Sequence, residues 1–318
     1  MKKLSLSPRQ KKKASTLMAL GTSELEAAIS LIEDGLYREA LVHLYFTCFY
    51  ITQAILTPYI NGKISHKGLN INFCKHYSKR KDFPKIYIQL HTTLWEQRSE
   101  FNYRTTHSPN PSVISKQLYQ LKRYVNFVLK HVPRVEVYDL LNALYEDNNK
   151  IIKDFFYDIY CPKTYFHHSR FSIWQPPFYL KIYSLDNLKK NALNLLKSLK
   201  VKRYKDYVIG LNSRINQYEN NHILMLDIDS VNPSIESVLK PIGGVLLKSG
   251  RGYHFIGKTI YQGFTEWSKK LNLLKKTPIL KDHIDKAHIE ISLARGYSTL
   301  RVTSSPVKPT IPYFYKEL

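Results

Sequence analysis

The sequence predicts an α+β protein in two parts, an antiparallel helical bundle followed by a second domain built around one mixed sheet. Three observations lead there. Up to Pro133, apolar residues recur at three-to-four spacing with almost no strand signal. From Tyr207 onward, short apolar runs alternate with turn residues. The composition, 43% hydrophobic and 23% charged over 318 residues, is that of a globular chain long enough for two domains.

The elements follow in order. Residues 1–20 carry six Lys and Arg and no acid, which predicts a basic flexible tail. Thr22-Ser23-Glu24 is read as the cap of a helix with Leu25, Ala28, Ile29 and Ile32 on one stripe, ended by Gly35. A second helix is expected from Tyr37 to Leu56, stopped by Pro58. After a polar loop from Asn61 to Leu69, helical stripes cover Leu69–His76, Ile86–Phe101 and Ser112–Val132, giving a bundle of four to five helices over 21–133. The spacing predicts a helical linker over 134–164. A second domain over 165–318 opens on an aromatic-rich stretch, Tyr165–Tyr183, and a helix over Leu185–Leu199. Strands are expected at Tyr207–Asn212, His222–Asp229, Gly243–Gly250, Tyr253–Gly257, His288–Ala294 and Ser298–Thr303, with helices at Pro233–Leu239 and Phe264–Leu274 between them.

Charge narrows the function. The chain has 48 Lys and Arg against 25 Asp and Glu, a formal +23, which calls for a polyanionic partner, nucleic acid before membrane. Three cysteines, Cys48, Cys74 and Cys161, support neither a disulfide framework nor a zinc knuckle. Cys161 with His167 and His168 reads as a buried thiol beside surface histidines rather than a metal site. No apolar core follows the basic start, so no signal peptide is expected. Leu41–Leu56 is read as too short and too polar to span a bilayer. A cytoplasmic protein without a membrane partner is the expectation.

Three sequence elements carry chemistry. Asp227 and Asp229 lie two apart after the apolar run Ile223–Leu226, so both carboxylates share one face at a strand end. Such a pair repels unless a cation lies between the two, as in a divalent-metal phosphoryl-transfer site. Alone, Asp-x-Asp is common at solvated strand ends. The second element is Ser249-Gly250-Arg251-Gly252-Tyr253-His254, a glycine turn between two strands, whose Ser249, Arg251 and His254 could donate to triphosphate oxygens. The third is His288-Ile289-Glu290-Ile291-Ser292, read as a strand carrying Glu290, with Arg301 on the next strand.

In this order the three elements resemble the catalytic core of the archaeo-eukaryotic primase (primase-polymerase) superfamily, over roughly Tyr165 to Leu318. The resemblance implies an RRM-like core and metal-dependent nucleotidyl transfer to a 3′-hydroxyl on a nucleic-acid template. Asp227, Asp229 and Glu290 would bind two Mg²⁺ or Mn²⁺ ions. Ser249, Arg251, His254 and Arg301 would bind the nucleoside triphosphate. Glu290 departs from the family's usual Asp. The resemblance also admits a helicase, or another replication or defence protein, as partner.

The helical half resembles HEPN domains, through Ala40–Leu56, Ser65–Asn70, Leu94–Arg104 and Leu121–Val132. Some HEPN domains are metal-independent ribonucleases with an Arg and a His four to six residues apart. Here the candidate positions are Arg98, Asn102, Tyr103 and His107. Eight residues separate Arg98 from His107 and two separate Arg104 from it, so neither pair has that spacing. The pattern is closer to a non-nuclease branch with Arg-x-x-x-Asp-Tyr, Asn102 replacing the Asp. Nucleic-acid or partner binding is therefore expected of this half, with dimerisation through it as a further implication. The competing reading is a HEPN ribonuclease, toxin or defence protein whose primase-like half senses nucleic acid or nucleotides. A non-catalytic nucleic-acid adaptor is a third. The retained acids favour the polymerase over the adaptor.

Overall fold

A computed structural model of the chain describes residues 1–62, 64–103, 109–145, 152, 154–160, 181–184, 188–201, 207–216, 220–305 and 308–318. It divides into two compact units, Met1–Val135 and Glu136–Leu318.

The first unit is built from α1 (Pro8–Glu33), α2 (Tyr37–Leu56), α3 (His66–Tyr77), α4 (Ile86–Tyr103) and α5 (Pro111–His131). The expected flexible tail is corrected here. Ser7 and Gln10 form a reciprocal capping box and Pro8 occupies the first turn, so α1 starts within the basic segment. Ala14, Leu17, Met18 and Ala19 are buried, and Thr22-Ser23-Glu24 lies inside the helix rather than capping it. At Gly21 a Cβ would stand 2.8 Å from Ile51 Cγ1, which is how closely α1 approaches α2. Helix α2 is the central element, burying Ala40, Leu41, Leu44, Tyr45, Cys48, Ile51 and Ile55. It also proves long and apolar enough to cross a membrane by length and composition, against expectation; 67% of its most apolar window is buried within the protein, which accounts for that apolarity. Helix α3 starts three residues earlier than expected because Ser65 caps it, accepting from the Gly68 N–H at 3.1 Å.

The second unit opens with α6 (Val137–Leu144), then β1 (Asp154–Tyr160) and β2 (Lys181–Ser184). The expected helix through Tyr160 is thus corrected to a strand from Asp154. Phe155, Phe156, Tyr157 and Ile159 are buried, and this density of aromatic and β-branched residues favours a sheet covered on both faces. Cys161, His167, His168 and the segment around Trp174 lie outside the described residues. The chain continues through α7 (Leu188–Val201), β3 (Val208–Ile215), β4 (Asn221–Ile228), α8 (Pro233–Leu239), β5 (Gly244–Ser249), β6 (Gly252–Tyr261), α9 (Gly263–Lys276), α10 (Lys286–Arg295), β7 (Thr299–Arg301) and β8 (Tyr313–Glu317).

The strand expected over His288–Ala294 is instead α10. Asp285 caps it through the His288 N–H at 2.9 Å, and Gly296, at φ 85°, ends it in the left-handed region. Its buried residues are His288, Ile289 and Ser292, a helical spacing that the Ile-Glu-Ile alternation conceals in sequence.

The sheet runs β2-β1-β3-β4-β6-β5-β8, with β7 pairing β3 off this path. Every pairing among the described strands is antiparallel, so the expected mixed sheet is corrected to an antiparallel one. Strand β3 pairs with β4 at Arg214 and Ile215 and with β7 at Gly210–Asn212. Helices α8, α9 and α10 contribute Ile235, Trp267, Leu271 and Ile289 to the core around Leu224, Leu226 and Phe255.

Candidate active site at the end of the fourth strand

Antiparallel register brings the first two motifs together. Asp227 on β4 stands opposite His254 on β6, and His254 is in turn opposite Leu247 on β5. His254 Nε2 lies 4.0 Å from Asp227 Oδ1, with the histidine 3% exposed. Burial, then the positive charges of Arg301 and Lys308, hold the His254 pKa well below its ordinary value. The imidazole is neutral at physiological pH, so its contact with Asp227 is not an ion pair.

The turn between β5 and β6 approaches the acids closely. A Cβ at Gly252 would stand 2.7 Å from the Ile228 carbonyl oxygen, so only glycine fits this crossing. Gly250 adopts φ 66°, and its Cα face is covered by the Lys308 side chain, whose Cγ and Cδ would lie 3.1 Å from an added Cβ. Arg251 is exposed at the tip, and its carbonyl accepts from the buried Lys248 Nζ at 3.0 Å. Ser249 is buried, and its Oγ accepts from Arg301 Nη2 at 3.2 Å. Arg301 Nη1 donates to the carbonyls of Thr303 and Thr310, the latter at 2.9 Å. In this arrangement Arg301 ties β7 to the glycine turn and to the chain after Thr303.

An acid other than the expected Glu290 comes near Asp227 and Asp229. After a turn, residues 283–285 run antiparallel to the end of β4. Asp229 N–H donates to His283 O at 2.8 Å, Asp285 N–H donates to Asp227 O at 3.0 Å, and Ile228 bridges Ile284. This short ladder brings Asp285 into electrostatic range of both other aspartates. Asp227 has a raised pKa through burial first, with His288 and Lys308 opposing and Asp285 and Asp229 adding to the rise. Asp229 is raised by burial and then by Asp285, with Lys308 opposing. Glu290 is not brought to this cluster. It stands on α10, its side chain 61% exposed, ion-paired with Lys275 at 2.9 Å. The signal for Asp285 was in the sequence: an apolar–acid pair, Ile284-Asp285, followed three residues later by the His288 that it caps. Lys308 and His288 were also missed. His288 is buried, its Nε2 is 3.1 Å from Thr299 O, and its Nδ1 has no hydrogen-bond partner among the described residues.

Three carboxylates offer only hard oxygen donors, the kind that suits Mg²⁺ or Mn²⁺, and a cation would relieve the repulsion that adds to the raised pKa values of Asp227 and Asp229. Among the described residues, no group of three or more His, Cys, Asp or Glu side chains is drawn in tightly enough to ligate an ion. The aspartates therefore stand in electrostatic range of one another rather than in coordinating positions.

In the helical unit, Arg98 on α4 lies over the rings of Tyr45 and Phe46, at 5.0 and 5.1 Å. Its Nε is buried with no hydrogen-bond partner among the described residues. The Tyr45 hydroxyl hydrogen-bonds His66 Nδ1, and burial followed by the Arg98 charge lowers the His66 pKa. Asn102 and Tyr103 are the last residues of α4; Arg104 and His107 lie outside the described residues.

Comparison with known proteins finds two likenesses. The archaeo-eukaryotic primase 1D-like family matches residues 190–312, which include Asp227, Asp229, Ser249, His254, Asp285 and Arg301. A protein of Methanocaldococcus jannaschii, named as a candidate toxin, is 26% identical over 120 residues, 37% of this chain and 88% of its own length. The part of the chain that holds the aspartate cluster is thus similar to archaeo-eukaryotic primases.

Proposed function

We propose that the second unit is a divalent-metal-dependent nucleotidyltransferase of the primase-polymerase kind, with an RRM-like core, adding nucleotides to a 3′-hydroxyl on a nucleic-acid template. The observation that carries this reading is the meeting of Asp227, Asp229 and Asp285 beside a buried neutral His254, within the stretch similar to primases. Asp227, Asp229 and Asp285 would hold Mg²⁺ or Mn²⁺ only after their side chains turn inward from the positions described above, and the bound ion would supply Lewis-acid stabilisation of charge at the reacting oxygens.

The remaining roles fall to this chain's own groups. His254, neutral and buried, can donate one N–H to a phosphate oxygen without adding charge beside the metal site. Lys308, whose side chain covers Gly250, and the exposed Arg251 would supply positive charge for a triphosphate. Ser249 and Arg301 hold one another and fix the turn, so Arg301 acts on the nucleotide mainly by keeping that turn in place and by its field. The basic surface of the chain holds template and primer through their phosphates. Incubation with Mn²⁺, primed template and labelled nucleotides tests the reading: incorporation by the native chain that is absent from Asp227→Asn is expected, and no incorporation under any metal contradicts it.

A second reading is favoured by the toxin-named relative and by the Arg98–Tyr45–His66 cluster. In it the first unit is a HEPN-like module that cleaves RNA without metal, and the second unit senses nucleic acid or nucleotides. Arg98 would bear on the scissile phosphate and His66 would take the proton of the attacking hydroxyl. RNA cleavage in EDTA that is lost in both Arg98→Ala and His66→Ala supports this second reading; its absence leaves the first unit a binding module.

A further inference from the structure

Beside the aspartates lies a polar relay that the roles above do not use. Ser230 follows Asp229 directly and is exposed. Its Oγ is 2.6 Å from His283 Nδ1, and His283 Nε2 is 3.4 Å from Asn232 Nδ2. His283 is also tied to the site by its backbone, since its carbonyl accepts from the Asp229 N–H at 2.8 Å.

The direction of this relay follows from one cap. Asn232 precedes α8 and its Oδ1 accepts from the Ile235 N–H at 2.9 Å. That bond settles which amide atom faces the histidine: Oδ1 is engaged with the helix, so the NH₂ group points to His283. A donor there requires Nε2 to accept. The neutral ring then carries its proton on Nδ1 and donates it to Ser230 Oγ. Ser230 already accepts from the histidine, so its own proton must point elsewhere. The hydroxyl is thereby fixed as a donor at the rim of the aspartate cluster.

We infer that Ser230 is a substrate-binding residue that donates a hydrogen bond to a phosphate oxygen, with His283 and Asn232 as positioning residues. This rests on the nucleotidyltransferase reading above. Phosphate is the fitting acceptor: it offers only lone pairs, and three neighbouring carboxylates repel it unless donors at the rim offset that repulsion. The oxygen belongs either to the incoming triphosphate or to the primed strand, which two constants separate.

The experiment uses the full chain with Mn²⁺, an oligo(dA)-primed poly(dT) template, and dATP or ATP. KM for the nucleotide and Kd for the primed template are measured for native, Ser230→Ala, Ser230→Thr, His283→Leu and His283→Asn chains, with Asp227→Asn alongside. Ser230→Ala should raise one of the two constants about tenfold with kcat and Tm close to native, as the loss of one bond to a charged oxygen implies. A raised KM assigns the triphosphate, and a raised Kd assigns the strand. Ser230→Thr, which keeps the hydroxyl, should restore it. His283→Asn, whose amide can donate from near the Nδ1 position, should retain more function than His283→Leu. If Asp227→Asn abolishes incorporation while Ser230→Ala leaves both constants unchanged, this inference alone is overturned. Full activity in Asp227→Asn overturns the reading beneath it.

Discussion

The aspartate cluster at the end of β4 and the Arg98 cluster of the helical unit both set a partly or wholly buried histidine beside charge, yet they call for opposite ligands. Around His254 the groups are three aspartates and Lys308; burial first, and then neighbouring carboxylates, raise the pKa values of Asp227 and Asp229, and Lys308 opposes the rise. That chemistry suits a cation. Around His66 the neighbours are the Tyr45 hydroxyl, aromatic rings and the guanidinium of Arg98. That is a site suited to an anion. The backbone differs as well. The aspartates are held by strand register and a three-residue ladder, where a slip of one residue would turn each carboxylate away. The Arg98 cluster is assembled from three helices through side chains alone. A chelator should therefore silence the first site and leave the second untouched.

The largest effect that sharpens this contrast is on catalysis. Asp227→Asn and Asp229→Asn should each reduce nucleotide incorporation by at least about 3 kcal/mol in the transition state, the scale of losing a preorganised electrostatic group. Neither should lower Tm, since each removes a repelling charge. Steady-state incorporation and thermal melts together check this, and native-like incorporation by both would dissolve the cation site.

Next in size is the glycine crossing. Gly252→Ala places a Cβ against the Ile228 carbonyl and must push the β5–β6 turn away from β4, costing roughly 1–3 kcal/mol of stability. Incorporation should fall with it, since the turn carries Ser249 and Arg251. An unchanged Tm would show that the turn is free to stand off from the acids.

The helical unit has its own pH-sensitive residue. His91 is 1% exposed, neither ring nitrogen has a hydrogen-bond partner among the described residues, and burial lowers its pKa from 6.5 to about 4. The unfolded chain therefore takes up a proton that the folded one refuses, and stability falls as pH drops from 6.5 towards 4. His91→Leu removes both the acid sensitivity and two unsatisfied polar atoms, a gain of about 1–3 kcal/mol that should be larger at pH 5 than at pH 7. Melts of the two proteins at both pH values decide it; equal pH dependence would place the titration elsewhere.

The smallest effect is expected at Glu290. Its ion pair with Lys275 is largely exposed, so Glu290→Gln should change stability by no more than about 0.5 kcal/mol.

How far the sequence could be read differs residue by residue. The end of β4 and the glycine turn were legible because the spacing of Asp227 and Asp229, and the two glycines flanking Arg251, depend on local geometry that few other arrangements need. The segment from His283 to Arg295 was not. Its Ile-Glu-Ile alternation has the period of a strand, while the signals that decide the outcome, a capping Asp285 and a terminating Gly296, are single residues at its ends. The same held at the amino terminus, where a run of lysines hid the Ser7–Gln10 capping box. Lys308 could not be found from sequence at all, because only the fold carries it back over Gly250.

In the nucleotidyltransferase proposed above, Asp285 rather than Glu290 completes the acidic site. Mn²⁺-dependent nucleotide incorporation by Asp285→Asn and Glu290→Gln, measured side by side on primed template, tests it most directly. Incorporation should be lost in Asp285→Asn and stay native in Glu290→Gln. Native activity in Asp285→Asn with loss in Glu290→Gln would contradict it.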